Sequence, residues 1–436
     1  MRLKPLLLAL ALGAAAPGAA HAEDLMQAYL QARQNDPQLA LAGANLRGTK
    51  EGVVQARSAL LPQINASLGL TQSNQSTTLG GINSGHVRSR RLSLDLSQSV
   101  FDLSRIADLK AADKQAASQS AQYKAATQNL LIRVASAYFN VLTAKDQVEL
   151  SKANEKSLAR ELDQAEQRYK VGLSPITDVQ DAKAQHDSAV AQLIRAKNAL
   201  DDAREALTQI TGQPVRDLKT LREGVPLKPP VPDNIADWVR TAMQNNPDIL
   251  AQQLNVEAAD DQINSARAGH LPTLSANISY GKGAQWSQLG YTRIPSGTTI
   301  GLTLNVPLFS GGFTQSRVRQ SIAQRDAAQD GLTSQRRQTI RNTRGYFRSV
   351  IAGISEVQAT RQAVESSKSA LQATEAGFKV GTRTIVDVLL AQQTLINSQQ
   401  NYSQARHQFV LNRLLLKQSA GTISIKDLEE VNALLQ

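Results

Sequence analysis

The sequence predicts a tandem-duplicated α+β membrane protein, with four transmembrane β-strands and very long coiled-coil α-helices. Three observations predict it. Stretches recur at a nearly fixed offset, two very long runs carry coiled-coil spacing, and four short runs alternate apolar with polar residues.

The duplication comes first. YKVGLSPITDVQ from Tyr169 and FKVGTRTIVDVL from Phe378 share their outline at an offset of 209. Pro37, Arg57, Leu61 and Pro62 match Pro247, Arg267, Leu271 and Pro272 at 210. YFNV from Tyr138 faces YFRS from Tyr346 at 208, so about 200 residues are written twice. The seam is 222–234, with four prolines, which reads as an extended linker. The expected organisation is a leader over 1–22, a first repeat over 23–221, this linker, and a second repeat over 235–436.

Each repeat reads helix, strand, strand, very long helix, turn, helix. The first helix is predicted over 23–60, ended by Pro62. Residues 102–170, free of glycine and proline, are predicted as one helix of 69 residues, about 104 Å at ~1.5 Å per residue. Val350, Val357, Val364, Leu371 and Phe378 recur every seven residues in the second repeat, the period of coiled-coil packing. Helices 23–60 and 173–211 hold 38 and 39 residues, so they are expected to stack end to end beside the long helix.

The strands are PQINASLGLTQS from Pro62, RLSLDLSQSVF from Arg91, PTLSANISYG from Pro272 and TTIGLTLNVPLF from Thr298. Strict alternation gives each one apolar and one polar face. Runs of about 10 residues suit a tilted strand crossing a bilayer. Four strands cannot close a barrel alone, and open edges are not tolerated in hydrocarbon. Copies must therefore share one barrel: two would give eight strands, three would give twelve. HVRSRR over 86–91 is expected in the first strand–strand connection, as a solvated loop or a contact to lipopolysaccharide phosphates.

Composition narrows the class. There is no cysteine, so disulfides and thiol sites are excluded. Arg2 and Lys4, the apolar run Leu6 to Leu12 and Ala20-His21-Ala22 read as a cleaved secretory signal. Net charge is +11, or +9 once Arg2 and Lys4 leave, and in an exported chain it is no sign of nucleic acid. Seven basic residues between Arg317 and Arg344 read as a solvated helix face. His186 and His407 are expected at the surface of long helices. No HExxH, GxxxxGK[ST], GxSxG or GxGxxG occurs, so neither an enzyme nor a cofactor or metal site is expected.

The tandem halves, the LLPQ and HLPT strand openings, YFNV, VGLSPITDVQ and VGTRTIVDV resemble the TolC family of outer-membrane efflux proteins over essentially all of 23–436. The resemblance implies a homotrimer with a 12-stranded β-barrel in the outer membrane of a Gram-negative bacterium and an α-helical periplasmic tunnel. It implies a passive exit duct for efflux pumps or type I secretion. The expected partners are a periplasmic adaptor (membrane fusion) protein, an inner-membrane transporter of RND, ABC or MFS type, and outer-membrane lipid. Val171-Gly172-Leu173 and Val380-Gly381-Thr382 are the implied adaptor-binding turns. Arg383 would close a gate onto Thr177 and Asp178 beside Phe378, where the family often has tyrosine. Asp387 matches a ring of aspartates that favours cations, while Leu390 stands where many members carry a second aspartate, which implies weaker cation selectivity. The rival reading is a non-conducting trimeric coiled-coil tether of the cell envelope.

Overall fold

The computed structural model describes residues 23–74, 78–79, 82–83, 86–215, 217–287 and 290–436; the leader lies outside them. The first half runs α1 (Leu25–Asn35), α2 (Pro37–Ser58), β1 (Gln63–Asn74), the two-residue strands β2 (Thr78–Leu79) and β3 (Ile82–Asn83), β4 (His86–Phe101), α3 (Leu103–Lys170) and α4 (Ile176–Thr211). The second half runs α5 (Ile235–Asn245), α6 (Pro247–Ala268), β5 (Thr273–Ser287), β6 (Gly290–Asn305), α7 (Phe313–Lys379), α8 (Ile385–Ser419) and α9 (Ile425–Asn432). No described helix is apolar and long enough to cross a membrane.

The single helix expected over 23–60 is two helices. Asp36 ends α1 and caps α2, its carboxylate accepting the Leu39 N–H at 2.8 Å. Pro37 takes the first helical position, where a missing N–H costs nothing. Arg133 of α3 donates to the same carboxylate at 2.9 and 2.6 Å. The second half breaks in the same place. There Asn246 caps α6 by accepting from the Asp248 and Ile249 N–H groups at 2.9 and 3.2 Å. α1 therefore leaves the expected stack and packs on α3, α4 and α9, while α2 and α4 lie along α3. α4 begins at Ile176, three residues later than expected, because the turn uses residues through Pro175.

α3 holds 68 residues and α7 holds 67, each about 100 Å long at ~1.5 Å per residue. Of the seven-residue series, Val350, Val357 and Leu371 are buried and Val364 and Phe378 half-buried, as a coiled-coil stripe along a partner requires. The main core lies halfway along. Tyr29 of α1, Tyr138 and Leu142 of α3, Leu207 of α4, Phe409 of α8 and Leu428 of α9 meet there. Tyr138 anchors it by donating to the Glu23 and Lys219 carbonyls at 3.1 and 2.8 Å.

His407 belongs to this core, not to the surface. It is 4% exposed, and its Nδ1 lies 2.8 Å from Thr143 Oγ1. Burial drives its pKa down to about 4, opposed by Asp146 and reinforced by Arg406. The periodicity of α8 could not reveal this, because the cover comes from α3. His186 is also partly covered, with Nε2 3.5 Å from Glu155 Oε1.

The four long strands form one antiparallel sheet in the order β1-β4-β5-β6. They hold 12, 16, 15 and 16 residues: β1 keeps its expected length, β4, β5 and β6 extend further toward the far end of the sheet than expected, and β6 stops at Asn305, short of the Phe309 expected. HVRSRR is strand, not connection: Arg88 pairs with Gln72 on one side and Trp286 on the other. One face carries Ile64, Leu68, Leu92, Leu94, Leu96, Ile278, Ile300 and Leu302, aligned by register. The other carries Ser67, Ser93, Thr71 and Ser89, whose hydroxyls pair across strands at 2.8 and 2.6 Å. Among the described residues, β1 and β6 each have one unpaired edge in the protomer.

Candidate functional site

The candidate site is the pair of turns at the end of the long helices away from the sheet. Both end their helix in the same way. Val171 and Val380 are the caps, followed by Gly172 at φ +74 and Gly381 at φ +78. Only glycine adopts that left-handed backbone without strain. The Gly172 N–H reaches the Tyr169 carbonyl at 2.9 Å and the Leu173 N–H the Arg168 carbonyl at 2.8 Å. Gly381 and Thr382 repeat the pattern onto Phe378 and Gly377 at 3.1 and 2.9 Å. These crossed bonds are a Schellman motif, which satisfies the orphan carbonyls of the helix end. With the backbone satisfied, Val171, Leu173 and Val380 stand 68%, 69% and 75% exposed. Each turn thus offers apolar side chains on a rigid frame.

The following helices start differently, and the difference falls on one carboxylate. Thr384 caps α8 in a capping box with Asp387. Thr384 N and Oγ1 both donate to Asp387 Oδ2 at 2.9 Å, and the Asp387 N–H returns a bond to Thr384 Oγ1 at 3.2 Å. These bonds, with the Arg383 charge, hold the Asp387 carboxyl below the usual range. In α4 the equivalent cap is Pro175, which supplies no side-chain acceptor or donor. Asp178, the counterpart of Asp387, occupies the first turn of α4, and its carboxylate has no hydrogen-bond partner among the described residues. A carboxylate at a helix start is favoured by the dipole and free to accept from elsewhere.

Arg383 is exposed and folds back over Gly377, where an added Cβ would stand 2.8 Å from the arginine Cγ. Within one protomer the structure does not bring Arg383 to Thr177 or Asp178; no such bond occurs among the described residues. Phe378 packs beside the small cluster of Leu158, Ala189, Ile385 and Leu389. Its ring also receives the guanidinium of Arg168, 4.9 Å from the centroid. Leu390, near Asp387 on α8, is exposed. No group of histidine and carboxylate side chains among the described residues is arranged to hold a metal ion.

Two participants escape sequence reasoning. Arg168 carries no signal, because its partner lies in the other repeat. Thr384 does carry one: Thr-x-x-Asp ahead of an apolar run is a capping-box pattern.

The sequence profile of the outer membrane efflux protein family matches residues 28–213 and 238–422. The chain is 38% identical to the outer membrane protein TolC of Vibrio cholerae over 439 residues, covering 99% of this chain and 98% of that protein. It is 28% identical to the alkaline protease secretion protein AprF of Pseudomonas aeruginosa over 421 residues, covering 95% and 88%. The crystal structure of the outer membrane protein VceC from Vibrio cholerae shares the fold, with a TM-score of 0.77 at 22% identity, covering 91% of this chain and 96% of that one. A profile matched once in each half of the duplication, and relatives of nearly the same length, show that this chain belongs to the outer membrane efflux protein family, the outer-membrane channels of efflux and secretion.

Proposed function

We propose that three copies of this chain close into one passive duct, gated at its periplasmic tip, for substrates handed over by an inner-membrane transporter. The observation that carries the reading is the joining of a four-stranded sheet with two bare edges to helices of about 100 Å. A sheet with an apolar face and bare edges is complete in a bilayer only when β1 of one copy pairs with β6 of the next. Twelve strands leave room for a passage, whereas eight are filled by their own side chains.

At the far end the paired turns form the entrance. Val171, Gly172 and Leu173, with Val380, Gly381 and Thr382, receive the periplasmic adaptor through the exposed valines and leucine. Arg383 of one hairpin bonds to Thr177 and Asp178 of an adjacent copy and holds the tip shut. The uncapped state of Asp178 supports that role, since its carboxylate has an acceptor to offer. Each exposed link is worth about 0.2–1 kcal/mol, so three together amount to a few kcal/mol at most. An adaptor that binds the open form more tightly by that amount opens the gate. Asp387 forms the cation-attracting ring, its carboxylate kept ionised by Thr384.

The test is single-channel conductance in planar bilayers, wild type beside Asp178→Ala. A small wild-type conductance that rises sharply in the variant is expected. A large conductance in both removes the gate, and none in either points to a tether.

A further inference from the structure

The sheet carries cations on its apolar face, confined to its outer end. Alternation and register put Arg88 and Arg90 on the same face as Leu92, Leu94 and Leu96. Lys282 pairs with Leu92, and Arg293 pairs with Ala284, itself opposite Arg90, so both share that face. All four are exposed. The strands contain one carboxylate, Asp95, and its partners Asn65 and Ser279 place it on the polar face. Four cations therefore share a lipid-facing surface with no counter-charge of their own.

Aromatic rings mark the same level. Trp286 and Tyr291 pair across β5 and β6 with centroids 5.5 Å apart, and the Arg90 guanidinium lies 5.4 Å from the Trp286 centroid. From Phe101 to Leu92 the strand climbs about 30 Å at ~3.4 Å per residue. Tilted by about 35–45°, that spans roughly 21–25 Å, close to the height of the apolar band, about 25 Å. The cations begin where the hydrocarbon ends. The sheet's other end joins α3 and α7, so this boundary belongs to the outer leaflet.

Building on the outer-membrane reading above, we propose that Arg88, Arg90, Lys282 and Arg293 form a binding surface for the phosphates of the outer-leaflet glycolipid, the diphosphorylated lipid A of lipopolysaccharide. Charge complementarity selects an anion, since an arginine fork matches phosphate oxygens in pairs. Position selects the source, since the site opens sideways into the leaflet and not into the lumen. Arg91, one residue along β4, is the internal control: it pairs with Gly69 and Gly283 on the polar face.

The test is native mass spectrometry of the purified protein in nonionic micelles titrated with diphosphoryl lipid A. Arg88→Ser, Arg90→Ser, Lys282→Ser and Arg293→Ser are each expected to weaken retention by about fivefold. Arg90→Lys keeps the charge but loses the fork, so its retention should fall between wild type and Arg90→Ser, and Arg91→Ser should retain all of it. Dephosphorylated lipid A and phosphatidylglycerol should bind far more weakly. Equal loss in Arg91→Ser, no loss in the four face variants, or equal binding of either control lipid overturns the proposal. Conductance is recorded on the same preparations. A variant that conducts as wild type but loses lipid A supports the surface, and a wild type that conducts without retaining lipid A overturns the surface while leaving the duct intact.

Discussion

The guanidinium of Arg168 stacks over the ring of Phe378 at 4.9 Å, joining the last turn of α3 to the last turn of α7. The contact spans the two repeats and sits directly above both turns. Its counterparts by duplication are Gly377 and Tyr169, so the second copy of the pair cannot form the same contact. A cation–π pair at an exposed site is worth about 0.5–1 kcal/mol. Arg168→Ala and Phe378→Ala are each expected to shift the tip toward the open form by about two- to fivefold, read as open probability in planar bilayers. Phe378→Tyr keeps the ring and adds a hydroxyl, so it should lower conductance. An unchanged conductance in Arg168→Ala would remove this contact from the gate.

Thr384 sets the charge state of Asp387. Hydrogen bonds from the Thr384 backbone and side chain stabilise the ionised carboxylate and lower its pKa. A depressed pKa keeps the charge present as pH falls, until the folded pKa is reached. Thr384→Val removes the hydroxyl and should move the acid midpoint of cation selectivity upward, toward the usual carboxylate value. Reversal potentials measured across a pH series check the direction. Leu390→Asp should raise cation selectivity at neutral pH in the same assay.

Buried His407 predicts acid sensitivity of the mid-rod core. Its folded pKa of about 4 lies below the ordinary imidazole value of 6.5. Between these values the unfolded chain binds the extra proton, so stability rises with pH across the window and falls as acid is added. At about 1.4 kcal/mol per pH unit the loss reaches roughly 3 kcal/mol by pH 4. His407→Gln should flatten the dependence of the unfolding midpoint between pH 4 and 6.5. An equally steep slope in the variant would place the sensitivity elsewhere.

Asp36 and Asn246 make the break between consecutive helices in two chemical ways. Burial pushes the Asp36 carboxyl up, but the bonds from Arg133 and Leu39 outweigh it and hold the pKa below its ordinary value. Removing one partner of a buried pair costs about 3–5 kcal/mol. Asp36→Ala loses the cap and strands Arg133, so it should destabilise by several kcal/mol in denaturant unfolding. Asp36→Asn keeps the cap, as Asn246 does in the second half, and should cost clearly less.

What the sequence made legible follows from periods and repetition. Alternation of two marks the strands, because one sheet face meets lipid and the other does not. Spacing of seven marks the long helices, because their stripe lies along a partner. Pro37 and Pro247 were visible as an aligned pair, yet the helical pattern runs across them. The break is readable only by taking Asp-Pro and Asn-Pro as cap and first residue. β4 and β5 run past their predicted ends because Arg88, Arg90 and Lys282 interrupt the apolar alternation without interrupting the backbone ladder. The burial of His407 and the stacking of Arg168 depend on residues more than 200 positions away, which no local pattern records.

The bare flanks of β1 and β6 bear on the order of events in biogenesis. Each is a row of backbone donors and acceptors open on one side. In hydrocarbon every such unmet group costs several kcal/mol, so a lone subunit has no stable inserted state. In water the same flanks invite indiscriminate strand pairing. Closure must then accompany or precede entry into the bilayer, and the yield of mature channel should depend steeply on subunit concentration.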